Sequence, residues 1–142
     1  MSRPIAILVI DVDNFKKFND TFGHATGDHV LIRFVDICKQ SFRGVDFFGR
    51  LGGDEFVAVL AESDLKIAQS VVKRIEKDLA ESYSEFFGIQ FNINASFGIS
   101  IFDPNLPSNK MPSESKDLLE YLIQMADLDM YVNKKLKQQN FC

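Results

Sequence analysis

The 142 residues contain no tryptophan, two cysteines, four prolines and no excess of positive charge. Cys38 sits on an apolar helical stripe and Cys142 is the last residue, so neither a disulfide framework nor a zinc-ligand spacing is present, and a reducing cytosol fits. The net charge of −4 excludes a surface built to coat nucleic acid, although a nucleotide needs only a local basic cluster. The apolar run Ile5 to Ile10 stops at Asp11, too short for a signal h-region or a membrane span. The chain is therefore expected to be soluble and cytoplasmic, with no membrane contact of its own, even if it belongs to a larger, membrane-anchored protein. No repeat, low-complexity tract or linker interrupts it, which predicts one domain over residues 1–142. What is there is ordinary for a globular protein: 46% hydrophobic and 25% charged residues. The 14 phenylalanines are spread through apolar runs and read as core.

The pattern predicts strand, helices, strand, strand, helix, strand, helix. Ile5 to Ile10 reads as a strand buried on both faces. Phe15, Phe18 and Phe22 place a short helix over Asn14 to Phe22, and Leu31, Phe34, Val35 and Cys38 mark a longer one over Asp28 to Phe42. Asp46 to Leu51 and Glu55 to Leu60 are the arms of a hairpin. Ser63 is a candidate N-cap for a helix with the stripe Ala68, Val71, Val72, Ile75 and Leu79. Gln90 to Phe102 alternates strictly and predicts one long strand. Asp103 to Pro112 is a loop, and the last helix spans about Glu114 to Lys137, with Leu118, Leu119, Leu122, Met125, Ala126 and Met130 inward. This order predicts an α+β fold with a ferredoxin-like, palm-type βαββαβ core, a mostly antiparallel sheet flanked by helices. In that topology the first and third strands are antiparallel neighbours, so Asp11 should meet Asp54 and Glu55.

The hairpin corner Leu51-Gly52-Gly53-Asp54-Glu55-Phe56 places two acids side by side after two glycines. Adjacent carboxylates repel unless a cation sits between them, and hard oxygen ligands suit Mg²⁺. From these residues alone a solvated acidic turn is an equally good reading.

The wider pattern is more specific. Asp11-Val12-Asp13-Asn14-Phe15-Lys16-Lys17-Phe18-Asn19-Asp20 is followed by Gly23-His24, Gly27-Asp28 and the Gly-Gly corner, which together resemble the GGDEF family, the diguanylate cyclases. The resemblance covers nearly the whole chain. It implies condensation of two GTP into cyclic di-GMP and two pyrophosphates, with each of two facing domains holding one GTP. It implies that Asp11, the Val12 carbonyl and Asp54 bind Mg²⁺ or Mn²⁺, with Glu55 adjacent and Asp54 or Glu55 helping to deprotonate the attacking hydroxyl. Asn14, Phe15 and Lys16 would hold the triphosphate at a helix entry. Lys16 would stabilise the transition-state charge, and Lys134 would be a second phosphate contact. Asn19 and Asp28 match the guanine-reading positions, and His24 a substrate contact. Guanine's N–H donors suit a carboxylate and an amide. Asp13 reads as structural in the turn. Arg43-Gly44-Val45-Asp46, ahead of the corner, resembles the R-x-x-D site at which the family binds its own product, so Arg43 and Asp46 are the expected inhibitory pair.

Two departures stand out. Where the family has K-x-x-G-R-N, this chain has Lys134-Lys135-Leu136-Lys137-Gln138-Gln139, so Gln138 replaces a phosphate-binding arginine unless Lys135 or Lys137 compensates. The D-x-L-T-x-L-x-N-R segment that commonly precedes the first strand is missing, as is any sensory or coiled-coil region, which reads as a catalytic domain excised from a longer protein. The main alternative is a weak or inactive domain that binds GTP or cyclic di-GMP as a regulatory module; the intact Asp11 and Asp54–Glu55 speak against it. A ferredoxin-like RNA-binding domain is disfavoured by the missing aromatic RNP pattern and the acidic balance.

Overall fold

A computed structural model describes residues 3–82, 84–86, 88–106, 111–112 and 114–139. Its centre is β1 (Ile5–Val12), paired antiparallel with β3 (Glu55–Leu60) on one side and β6 (Ala95–Phe102) on the other. With β2 (Phe47–Gly52) outside β3, the sheet order is β2-β3-β1-β6, the ferredoxin-like order expected. Being covered on both faces explains why β1 is apolar from Ile5 to Ile10. Ala6, Leu8 and Ile10 join the main core with α1 (Phe15–Phe22), α2 (His24–Lys39) and α3 (Leu65–Glu81). Ile7 and Val9 face the other way and meet Leu122, Ala126 and Met130 of α4 (Ser115–Gln139). A small hairpin, β4 (Ser84–Phe86) with β5 (Ile89–Phe91), precedes β6.

The position of α4 is fixed along β6. Asp129 Oδ2 accepts from the Ile99 N–H at 2.8 Å, Asn133 Nδ2 donates to Phe97 O at 2.9 Å and Lys137 Nζ donates to Ala95 O at 2.6 Å. Four helical residues advance about 6 Å, and two strand residues advance about 6.6 Å, so the two repeats keep step. The ladder also occupies outward backbone groups of an edge strand, which would otherwise invite another strand to pair.

Several expectations are corrected. The predicted long strand is broken: β5 ends at Phe91 and β6 begins at Ala95. Asp64, not Ser63, caps α3, its Oδ1 accepting from the Ile67 N–H at 2.8 Å; the Ser63 hydroxyl is turned to Ala61 O instead. The second helix starts at His24 and ends at Lys39, earlier at both ends than expected. Leu119 and Met125 are exposed, because the sheet covers only the line of α4 through Leu122, Ala126 and Met130. Phe22 and Phe47 are also exposed, so the phenylalanines are not uniformly core. Cys38 is buried and its thiol pushed up to about 12 by that burial, which makes it inert packing; Cys142 and part of the Asp103 to Pro112 loop lie outside the described residues.

Candidate functional site

The strand end and the hairpin corner meet as the topology required. Asp11 faces Glu55 in the β1–β3 register, and the Val12 N–H donates to Asp54 O at 3.1 Å. The guanidinium of Arg50 closes the corner from below, its Nε donating to Gly53 O at 2.8 Å. Burial pushes Asp11 up to about 6, and the neighbouring Asp54 carboxyl adds to the rise. Lys134 Nζ, 2.6 Å from Asp11 Oδ2, pulls the other way without offsetting the rise. Burial alone would lower the Lys134 ammonium, but its bond to Asp11 raises it. Glu55 is raised by burial and by Asp127, which reaches it from α4.

The Asp54 carboxyl contributes to raising both Asp11 and Glu55, so negative charge is concentrated at this corner. Among the described residues no group of three or more His, Cys, Asp or Glu is arranged to enclose a metal. Mg²⁺ needs no such cage, since it usually takes one or two carboxylates and completes its shell with water and phosphate oxygens. Asp11 and Asp54 supply that number, so the donor set fits a cation shared with a bound phosphate.

Beside the acids, the β1–α1 turn opens into a cleft of about 350 Å³ lined by Asp13, Asn14, Asn94, Ser96, Lys134, Lys137 and Gln138. Asn14 adopts the left-handed conformation (φ 58°, ψ 25°) at the head of α1, and its side chain makes no capping bond there. The first-turn amides of Phe15 and Lys16 and the exposed Lys16 side chain follow it. Asp13 is structural, as expected: its carboxylate accepts from Ser96 Oγ at 2.6 Å and from Lys137 Nζ at 2.8 Å. Lys137 is thus engaged, and Lys135 lies over the Tyr131 ring at 5.3 Å, so neither stands free in place of the missing arginine.

On the other flank of α1, Asn19 faces α2. Its Oδ1 is a buried acceptor with no hydrogen-bond partner among the described residues. Gly27 makes room for it: a Cβ there would lie 1.6 Å from Asn19 Oδ1. His24 and Asp28 are exposed on the first turns of α2.

Arg43 and Asp46 form a pair away from the acids. The Asp46 side chain is 3% exposed and its carboxylate receives the Arg43 N–H at 2.8 Å, Arg43 Nη2 at 3.1 Å and the Ala61 N–H at 3.0 Å. Burial would raise this carboxyl, but those donors hold it below the usual carboxylate range. Arg43 also reaches Ala61 O, and its side chain remains 52% exposed.

Sequence reasoning missed Asp127 and the engagement of Lys137. Both were within reach of it, since they lie seven residues before and three after Lys134 and so share its helical face. Arg50 carried no signal beyond proximity to the corner.

A family model described as diguanylate cyclase, GGDEF domain, matches residues 1–140. Diguanylate cyclase A of Treponema denticola is 38% identical over 131 residues, which cover 92% of this chain and 33% of that protein. Diguanylate cyclase DgcS of Shewanella oneidensis is 38% identical over 130 residues, 92% of this chain and 39% of that one. The chain thus spans well under half the length of these curated relatives. Among solved structures, the GGDEF domain of YfiN (TpbB) from Pseudomonas aeruginosa has a TM-score of 0.81 at 29% identity, covering 94% of this chain and 78% of that one. The active GGEEF domain of a diguanylate cyclase from Vibrio cholerae gives 0.76 at 28% identity with the same coverage. Acids brought together by the β1–β3 register, a four-stranded sheet in ferredoxin-like order and these likenesses agree: the chain belongs to the GGDEF family, the diguanylate cyclase domains.

Proposed function

We propose that this domain condenses two GTP into cyclic di-GMP and two pyrophosphates, working as a pair of facing domains. The observation that carries the reading is the meeting of Asp11 with the Asp54–Glu55 corner beside the β1–α1 turn. Asp11, Asp54 and the Val12 carbonyl would hold Mg²⁺ or Mn²⁺, which when bound activates an attacking hydroxyl and neutralises a leaving pyrophosphate. The amides of Phe15 and Lys16, with Asn14, hold the triphosphate, and the Lys16 ammonium offsets charge as it develops. Lys134, bonded to Asp11 in the free domain, would contact a phosphate oxygen. Glu55, with its carboxyl raised by burial and Asp127, is placed to take the proton of the 3′-hydroxyl. Asn19 and Asp28 read guanine and His24 contacts the nucleotide; leaving guanine's donors unpaired in a closed site costs about 1–3 kcal/mol each. One domain presents one such site, so the second GTP comes from a partner domain. Arg43 and Asp46 bind the product as inhibitor. No nucleic acid is involved.

The test is chromatography of products after incubating concentrated protein with GTP and Mg²⁺. Cyclic di-GMP and pyrophosphate in a one-to-two ratio are expected, with a rate that falls steeply on dilution. Asp54→Ala should abolish both products while the circular dichroism spectrum is kept. A protein that binds GTP and makes neither product would be a regulatory binding module, the reading that Gln138 in place of arginine favours.

A further inference from the structure

The β1–α1 turn is held from outside itself. The Asp13 N–H donates to Asn94 O at 2.8 Å, and the Asp13 carboxylate takes Ser96 Oγ on one oxygen and Lys137 Nζ on the other. Ser96 is buried in β6, and Lys137 is anchored by a second bond to Ala95 O at 2.6 Å. Directly after Asp13 comes Asn14 in the left-handed conformation, which asparagine tolerates better than other side chains but at some cost, so the bonds on Asp13 help to keep it there. Backbone that turns left-handed beside helical residues points successive N–H groups into one concavity, an arrangement that takes anions. The Asn14 side chain does not occupy that concavity as a cap. The clamp on Asp13 therefore stands immediately behind the amides that would meet an anion.

We propose that Lys137 is a positioning residue: through Asp13 it holds the turn at Asn14 and so pre-orders the amides of Phe15 and Lys16 for the polyphosphate of a nucleoside triphosphate. This rests on reading the site as a nucleotide site. Lys137 acts on the protein and not on the ligand, since its ammonium is committed to a carboxylate and a carbonyl, both charge-assisted bonds. Charge at position 137 thus serves order in the turn and not direct contact with phosphate.

Hydrogen exchange on the ligand-free protein and calorimetric titration with inorganic triphosphate and with guanosine, both with Mg²⁺, test this. Lys137→Ala should speed exchange of the Asp13 and Phe18 amides, which are bonded to Asn94 O and Asn14 O across the turn, while the β2–β3 hairpin is unchanged. It should weaken triphosphate binding about tenfold or more, the scale for a displaced binding group, and leave guanosine binding alone. Lys137→Arg should restore most of the loss. Asp13→Asn should reproduce it, and the double variant should be no worse than either single one. Unchanged exchange of the Asp13 and Phe18 amides would overturn the proposal, as would additive losses in the double variant, which would make Lys137 a direct phosphate ligand. A wild-type protein that bound neither probe would remove the nucleotide reading, and the exchange data would still decide whether Lys137 holds the turn.

Discussion

Replacing Gly98 by alanine is the sharpest way to ask whether the seating of α4 governs the site. A Cβ at this position would lie 1.8 Å from Ala126 O and 2.5 Å from Met130 N, both helix backbone. Real Cβ contacts below 3.0 Å are essentially unknown, so α4 must retreat from β6 by about 1.2 Å at this point. Overpacking of this kind costs about 1–3 kcal/mol. The ladder from Asp129, Asn133 and Lys137 is stretched at the same time, at about 0.5–1.5 kcal/mol for each bond lost. A total loss of about 2–5 kcal/mol corresponds to a fall in Tm of roughly 6–15 °C for a domain of this size. Urea unfolding followed by circular dichroism measures the first quantity directly. The functional consequence follows from the same shift, since Lys134 and Lys137 ride on α4 and reach Asp11 and Asp13 at 2.6 and 2.8 Å. Product formation should therefore fall further than the folded fraction does. Gly44→Ala is the control, because nothing lies within 4 Å of a Cβ there and stability should not change. A Gly98→Ala protein with wild-type stability and turnover would show that α4 does not sit on β6 as described.

Other outcomes follow from single contacts. Gly27→Ala would push the Asn19 side chain aside without disturbing helix backbone, so GTP affinity should drop roughly tenfold or more, at about 1–3 kcal/mol for a lost base contact, while inorganic triphosphate binds as before; equal losses would separate Asn19 from base reading. Arg43→Ala should relieve inhibition by cyclic di-GMP without lowering the initial rate, and persistence of inhibition in a product-titration assay would remove Arg43 from that role. Loss of the Arg43 side chain strips guanidinium donors from a carboxylate that is only 3% exposed, so it should cost about 1–3 kcal/mol of stability. Asp46 has a folded pKa below its unfolded one, so it contributes stability that is present above the unfolded value, about 3.9, and is lost as pH falls through the folded value. Asp46→Asn should accordingly lower Tm at neutral pH and shrink the drop in Tm between pH 5 and 2; an acid limb as steep as wild type would contradict this.

Pattern alone carried the reader to the sheet and to the acids, because β1 is apolar on both faces and the βαββαβ order permits few topologies. The antiparallel pairing of β1 with β3 then fixes where Asp11 goes. It could not reveal the break before β6, since Asn92 and Asn94 fall on the polar face of an unbroken alternation. What ends the pairing is tertiary: Asn92 Nδ2 donates to Ala80 O and Ser82 O at the end of α3. Ser63 and Asp64 are both capping types, and only the demand of Ala61 and Arg43 on the Ser63 hydroxyl decides between them. The inward face of α4 was drawn too wide because apolar residues outside the line Leu122–Ala126–Met130 carry the same hydrophobicity without the same cover.

The cations were harder to place than the acids, and the reason is instructive about the site. Motif position assigned Lys134 to phosphate, whereas in the free domain it sits on Asp11. A single ammonium at 2.6 Å still leaves that carboxyl raised to about 6, because burial and Asp54 together outweigh it. Lys137 cannot add its charge, being bound to Asp13 and Ala95 O. Burial and neighbouring carboxylates thus keep both Asp11 and Glu55 raised at this corner despite Lys134. On the proposed reading, a divalent ion would bring twice the charge of a lysine to the same oxygens, and Lys134 would be available to phosphate. On that reading, a cation and a polyanion would meet here together, the cation at the acids and the polyanion at the β1–α1 turn.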